Sequence, residues 1–153
     1  MATVSPPPWT YALHLPHDPR APGIARAALR VILDAHGLAD LRDDAELLAS
    51  ELLTNAHLHT TGAYGLRLAP RSPGGVRVSV WDSDPEIPPG FHVGENAPRS
   101  AESGRGLHLV RACADAWGAY SLGATHRGKL LWAECRNEPT GSTPAVSPHP
   151  HLN

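Results

Sequence analysis

An α+β two-layer sandwich, with a mostly antiparallel sheet covered on one face by three helices, is the fold class this sequence predicts. Three observations carry the prediction. Apolar residues recur at helical spacing in stretches near 24–35, 45–56 and 107–117, and they alternate at period two over 64–68 and 76–80. The elements then run strand, helix, helix, two strands, loop, helix, two strands. At 153 residues, 41% of them apolar, the chain has room for one domain with a real core and little for a second.

Residues 1–8 include three consecutive prolines and read as a disordered lead-in, after which Trp9 to Leu15 alternates as a first strand. Asp18-Pro19 starts a helix over about residues 20–36, with Ile24, Ala27, Ala28, Val31, Ile32 and Ala35 as its stripe and Gly37 as its stop. Asp40 or Asp43 caps a second helix, whose core side is Ala45, Leu48, Ala49, Leu52, Leu53 and Ala56 and which stops near Thr60-Thr61-Gly62. Tyr64, Leu66 and Leu68 pair with Val76, Val78 and Val80 in an antiparallel hairpin around a turn at Pro70 to Gly75.

From Asp82 to Ser103, four prolines, two glycines and hardly any periodicity mark a loop too long for a compact domain unless it has a function. Gly104-Arg105-Gly106 opens a third helix, with Leu107, Val110, Ala114 and Trp117 facing inward and Gly118 closing it. Ala119 to Leu122 and Lys129 to Cys135 form a second hairpin. Beyond Arg136 the composition turns to Pro, Ser, Thr, His and Gly, so residues 9–136 are read as the domain and 137–153 as a disordered tail.

A net charge of −2 supplies no basic footprint for direct nucleic-acid binding or for an anionic membrane. No apolar run approaches a membrane span and the first residues lack a basic leader with an apolar segment, so the expected location is cytoplasmic. Cys113 and Cys135 fit small buried hydrophobes better than a disulfide. Among ten histidines, His57 and His59 point apart on a helix and no His-Glu-x-x-His string occurs, which argues against zinc.

Four polar stretches are left once the core is assigned. Glu51, Asn55 and His59 stand four apart and stack into one column beside the apolar stripe of the second helix. Asn55 offers a neutral oxygen suited to Mg2+, and Glu51, one turn away, suits a proton acceptor for an attacking hydroxyl. Asp82 ends the apolar Val78-Ser79-Val80-Trp81 run, where a carboxylate can accept a hydrogen bond from an exocyclic amine such as adenine's. Gly104-Arg105-Gly106 lets the backbone approach an anion at a helix start. The fourth stretch is Lys129 beside Trp132. Singly, each of the first three has a plain alternative: a solvated helix face, a turn acid, a tight loop-to-helix turn. Their order along the chain favours a nucleotide site. Gly123 to Lys129 matches most of a phosphate-loop string, but Leu130 stands where the Mg2+-binding hydroxyl belongs and a strand follows, so that reading is rejected.

In that order the chain resembles the GHKL ATPases, which include Hsp90, DNA gyrase B, histidine kinases and MutL. Glu51-Leu52-Leu53-Thr54-Asn55-Ala56 with His59-Thr60 is similar to their N-box, Val80-Trp81-Asp82-Ser83-Asp84-Pro85 to their G1 box, and Gly104-Arg105-Gly106-Leu107-His108-Leu109-Val110 to their G2 box. Ala114 to Gly118 and Gly128 to Glu134 are similar to patterns in the small actinobacterial ATP-binding proteins akin to anti-sigma-factor serine kinases. The resemblance covers residues 9–136. It implies a Bergerat-type ATP-binding fold with ATP and Mg2+ as cofactors. It also implies Asn55 as the Mg2+ ligand, Glu51 as general base and Asp82 on the adenine amine. His59, Gly104, Arg105, Gly106 and Leu107 would complete the nucleotide-contacting set, with residues 86–103 as an ATP lid. Ser83-Asp84-Pro85 replaces the glycine of the usual G1 box, and His57 and Leu58 stand where an aliphatic residue and Arg are common. The implied function is an anti-sigma-type serine/threonine kinase acting on an antagonist protein, with a sigma factor or that antagonist as partner and a homodimer left open. The alternative is a non-catalytic, ATP-dependent protein-binding module of the same fold.

Overall fold

The computed structural model describes residues 8–71, 73–91, 110, 113–123 and 127–137. Its first elements are Tyr11–Leu15 (β1), Ala21–Ala35 (α1), a 3-10 turn at Ala39–Leu41 and Arg42–His59 (α2). Tyr64–Arg71 (β2), Gly75–Asp82 (β3), Ala116–Ser121 (β4) and Lys129–Arg136 (β5) follow. The strands form one five-stranded sheet in the order β1-β2-β3-β5-β4, with every neighbouring pair antiparallel. Helix α2 packs across β2, β3 and β5, and α1 packs on α2 and β1. The two-layer α+β sandwich is therefore present, built among the described residues from two complete helices. The region expected to form the third helix is described only at Val110 and Cys113 and at the residues after them, where the Ala114 amide donates to the Val110 carbonyl at 2.8 Å.

Period-two alternation decides which side of each strand meets the helices. Leu66 pairs with Val80 and Val80 with Leu131; Leu68 pairs with Val78 and Val78 with Ala133; all are buried. This row meets Ala45, Leu48, Ala49, Leu52, Leu53 and Ala56 of α2, the stripe expected for that helix. Cys135 extends the row, and burial foremost pushes its thiol up to about 12, which makes it an inert core group.

Several expectations are corrected. The buried stripe of α1 is Ala21, Ala25, Leu29 and Leu33, whereas Ile24 and Val31 are 61% and 68% exposed. Apolar residues occupy both faces of this helix, so periodicity alone did not choose between them; the packing of Leu29 and Leu33 into the core did. Neither Asp40 nor Asp43 caps α2, because the 3-10 turn leads straight into it with Leu41 at the boundary. Asp43 and Asp44 lie instead in its first turn, where they favour the positive helix end. The first hairpin turn is shorter than Pro70 to Gly75, since Arg71 pairs with Gly75. Trp117 and Gly118 belong to β4 and do not finish a helix; they pair with Ala133 and Trp132. A stretch that reads as a helix end becomes an edge strand because β5 offers it a ladder partner.

Gly37 does stop α1. Its φ of 71° is the left-handed conformation that glycine adopts without strain, and the Leu38 amide reaches back to the Leu33 carbonyl at 2.8 Å. No helix among the described residues is long and apolar enough to cross a membrane.

Candidate functional site

The inner face of the sheet stays apolar until the ends of β3 and β5, where two charged residues meet. Asp82 is the last residue of β3 and Lys129 the first of β5, and the register places them directly opposite each other. A cross-strand pair on one face brings side chains into contact. The Lys129 Nζ donates to Asp82 Oδ1 at 3.0 Å, and both side chains are 1% exposed. The same Oδ1 accepts from the Asp84 amide at 2.9 Å, the local bond by which a short acid turns its own backbone. Lys129 also donates to the Asp84 carbonyl at 3.2 Å and lies 3.6 Å from its carboxylate. Ser83-Asp84-Pro85, which replaces the expected glycine, is thus bound to the buried lysine on one side and to Asp82 on the other. Asp82 Oδ2 has no hydrogen bond among the described residues. Burial pushes the Asp82 carboxyl up, and the Lys129 hydrogen bond and charge pull it back only in part.

Gly128 makes this corner possible. A Cβ on it would lie 2.2 Å from the Asp82 carbonyl oxygen and 3.2 Å from its carbon, so any side chain forces the two backbones apart. Gly128→Ala is expected to cost about 1–3 kcal/mol of stability through this overlap. Chemical denaturation measures it, and a midpoint equal to that of the native chain would show that the contact is not tight.

On α2 the polar column runs along the rim of the core. Glu51 and Asn55 are half-buried, and His59 at the last turn is exposed. Burial raises the Glu51 carboxyl above its usual range and makes it a stronger base. The Asn55 Oδ1 is buried without a hydrogen-bond partner among the described residues, which is uncommon for a buried polar atom. His57 turns away from the column: its Nδ1 bonds the Tyr64 hydroxyl at 2.9 Å, and its ring stacks on His17 at 4.1 Å. Thr60 closes the helix by donating its hydroxyl to the Ala56 carbonyl at 2.7 Å.

The segment after β3 folds back over the sheet. Ile87 packs against the core, Phe91 is fully buried, and the Trp117 indole donates to the Gly90 carbonyl at 3.0 Å. That bond ties the start of the expected lid to the inner side of β4.

A family model described as the histidine kinase-like ATPase domain matches residues 15–134. The chain belongs to this family. No curated protein matches it. As a histidine kinase-like ATPase domain of the GHKL type, the chain is an ATP-binding domain. The match runs from the end of β1 to Glu134 in β5 and so includes α2, Asp82 and Lys129.

Of the site residues expected from the sequence, Glu51, Asn55 and His59 share one face of α2, and Asp82 closes the end of the inner sheet face beneath the same layer. Gly104, Arg105, Gly106 and Leu107, and lid residues 92–103, lie outside the described residues. Lys129, outside the site set expected from the sequence, is the side chain that meets Asp82. It does not act beside Trp132, because residues three apart on a strand face opposite ways. The available signal was an acid at the end of one apolar strand and a lysine at the start of another, which antiparallel pairing brings together.

Proposed function

We propose that this ATP-binding domain is an anti-sigma-type serine/threonine kinase that uses Mg-ATP to phosphorylate a serine on an antagonist protein, with a sigma factor or that antagonist as its exchange partner. The observation that carries the reading is the buried, unpartnered Asn55 Oδ1 one helical turn from a carboxylate whose basicity burial has raised. A neutral amide oxygen is a hard ligand of the type Mg2+ takes beside phosphate oxygens and water, so the residue fits the ion. When bound there, Mg2+ supplies charge neutralisation for the phosphates.

Asp82 would accept a hydrogen bond from the adenine amine on Oδ2, with Lys129 holding Oδ1. Glu51 would take the serine hydroxyl proton as that oxygen bonds to the γ-phosphorus and the bond to the β-phosphate oxygen breaks, releasing ADP. Incubation with γ-labelled ATP and candidate antagonists is the test. A labelled serine on one antagonist is the expected result. Nucleotide-dependent binding of an antagonist with no transferred label would replace the kinase with an ATP-dependent binding module.

Lys129 also sets a pH dependence. Adenine recognition requires ionised Asp82, so affinity is expected to fall as pH drops through its raised pKa. Removing the cation in Lys129→Met takes away what lowers that pKa, so the loss of affinity begins at a higher pH than in the native chain. A calorimetric pH series reads it directly, and superimposable profiles would mean that Lys129 does not tune the carboxylate.

A further inference from the structure

The sheet face turned away from the helices carries a second site. Its outward row includes Arg67 and Arg71 on β2, Arg77 and Ser79 on β3, Leu130, Trp132 and Glu134 on β5, and Tyr120 on β4. Ser79 lies opposite Arg67 and Ala69 opposite Arg77, so small residues alternate with guanidinium groups across the two strands. A cleft of about 440 Å³ results, lined by Ser79, Ala69 and Tyr120 together with the arginines.

Charge in this cleft is lopsided. Glu134 Oε1 accepts from Arg71 Nε at 2.9 Å and from Arg77 Nε at 2.7 Å, and Arg136 Nη2 lies 3.9 Å from its Oε2. Burial pushes Glu134 up, but the bonds from Arg77 and then Arg71 outweigh it and hold its carboxyl below the usual range, which keeps it ionised. The Arg77 guanidinium is also fixed 4.1 Å over the Trp132 ring. Arg67 is exposed and has no ion pair among the described residues. The cleft is therefore lined by three arginines, two of them paired with the neighbouring Glu134, on a chain whose net charge is −2.

We propose that this cleft docks a short acidic, aromatic-containing segment of a partner protein, at a site separate from the nucleotide pocket and independent of its chemistry. Arg67 and Arg71 stand four residues apart on one strand, roughly 13 Å, which suits two carboxylates along an extended peptide. Tyr120, 53% exposed, offers a face for an aromatic side chain. Residues 1–7 contain no acid and 138–153 only Glu138, too little charge to match the arginines. A nucleic acid fits less well, since the chain as a whole is acidic, with a net charge of −2.

The test is fluorescence anisotropy with a labelled ten-residue Glu/Tyr peptide, its Gln/Tyr counterpart and a labelled thymidine oligonucleotide, at low salt. Binding of the Glu/Tyr peptide alone is expected. Arg67→Glu should weaken it at least about tenfold, as like charges replace attraction. The same variant should leave thermal unfolding and Mg-ATP titration unchanged, because Arg67 is exposed on the opposite face. Equal binding of the Gln/Tyr peptide, preference for the oligonucleotide, no binding at millimolar peptide, or full binding by Arg67→Glu would each overturn the proposal.

Discussion

Asp82→Asn is expected to abolish measurable Mg-ATP binding and to destabilise the fold by up to about 3–5 kcal/mol, because it leaves the buried ammonium with only the more distant Asp84 carboxylate as counter-charge. The Lys129 side chain is 1% exposed, and its carboxylate partner is Asp82 Oδ1 at 3.0 Å, with Asp84 next at 3.6 Å. An amide at position 82 keeps the shape but not the charge, so neither the lysine nor the adenine amine finds its acceptor at full strength. Two measurements separate fold from site. Adding Lys129→Met removes the stranded cation, so the double variant should recover much of the lost stability and still fail to bind nucleotide. Thermal unfolding and calorimetry follow the two effects. Unimpaired titration of Asp82→Asn would mean that adenine is held elsewhere; an unchanged melting temperature would mean that the ion pair is not a structural element.

Glu51→Gln is expected to reduce phosphoryl transfer by roughly 10²–10⁴-fold, the usual contribution of a positioned general base. Nucleotide affinity should change little, because glutamine keeps the size of the side chain and the adenine contact belongs to Asp82. Burial raises the Glu51 carboxyl. The transfer rate of the native protein should therefore climb with pH through a pKa above the ordinary glutamate range and then level off. Single-turnover rates across a pH series, measured on both proteins, decide the matter. A Glu51→Gln variant that transfers phosphate at the native rate would remove Glu51 from the chemistry, and an unchanged inflection would assign the titration to another group.

Much of this site was legible along the chain because its parts sit at element ends with strong local signals. The Glu51, Asn55 and His59 column follows from helical geometry alone, and α2 runs as expected with its apolar stripe buried. Asp82 was legible because an acid ending a buried strand is conspicuous. The hairpin of β2 and β3 came from alternation, and its register only trimmed the turn. Less legible were features that depend on partners distant in sequence. Glu134 reads as one residue in a terminal strand, yet it is held by Arg71 and Arg77, more than fifty residues away. Trp117 and Gly118 look like a helix end, and only the Trp132 ring lying against Gly118 shows why a glycine is needed in a strand there. A Cβ at Gly118 would come within 2.7 Å of that ring.

The sequence by itself determined the family, the two-layer class, the helix that bears the acid-amide column and the strand-end acid, because each depends on residues close together in the chain. Tertiary structure decided which face of α1 is buried, that Lys129 neutralises Asp82, and that Arg71 and Arg77 converge on Glu134 on the open sheet face. The physical reason is the same in each case. Periodicity reports that a side chain has an inside and an outside, but burial energy and charge pairing depend on which strand lies opposite, and the register that aligns them is set only when the sheet closes.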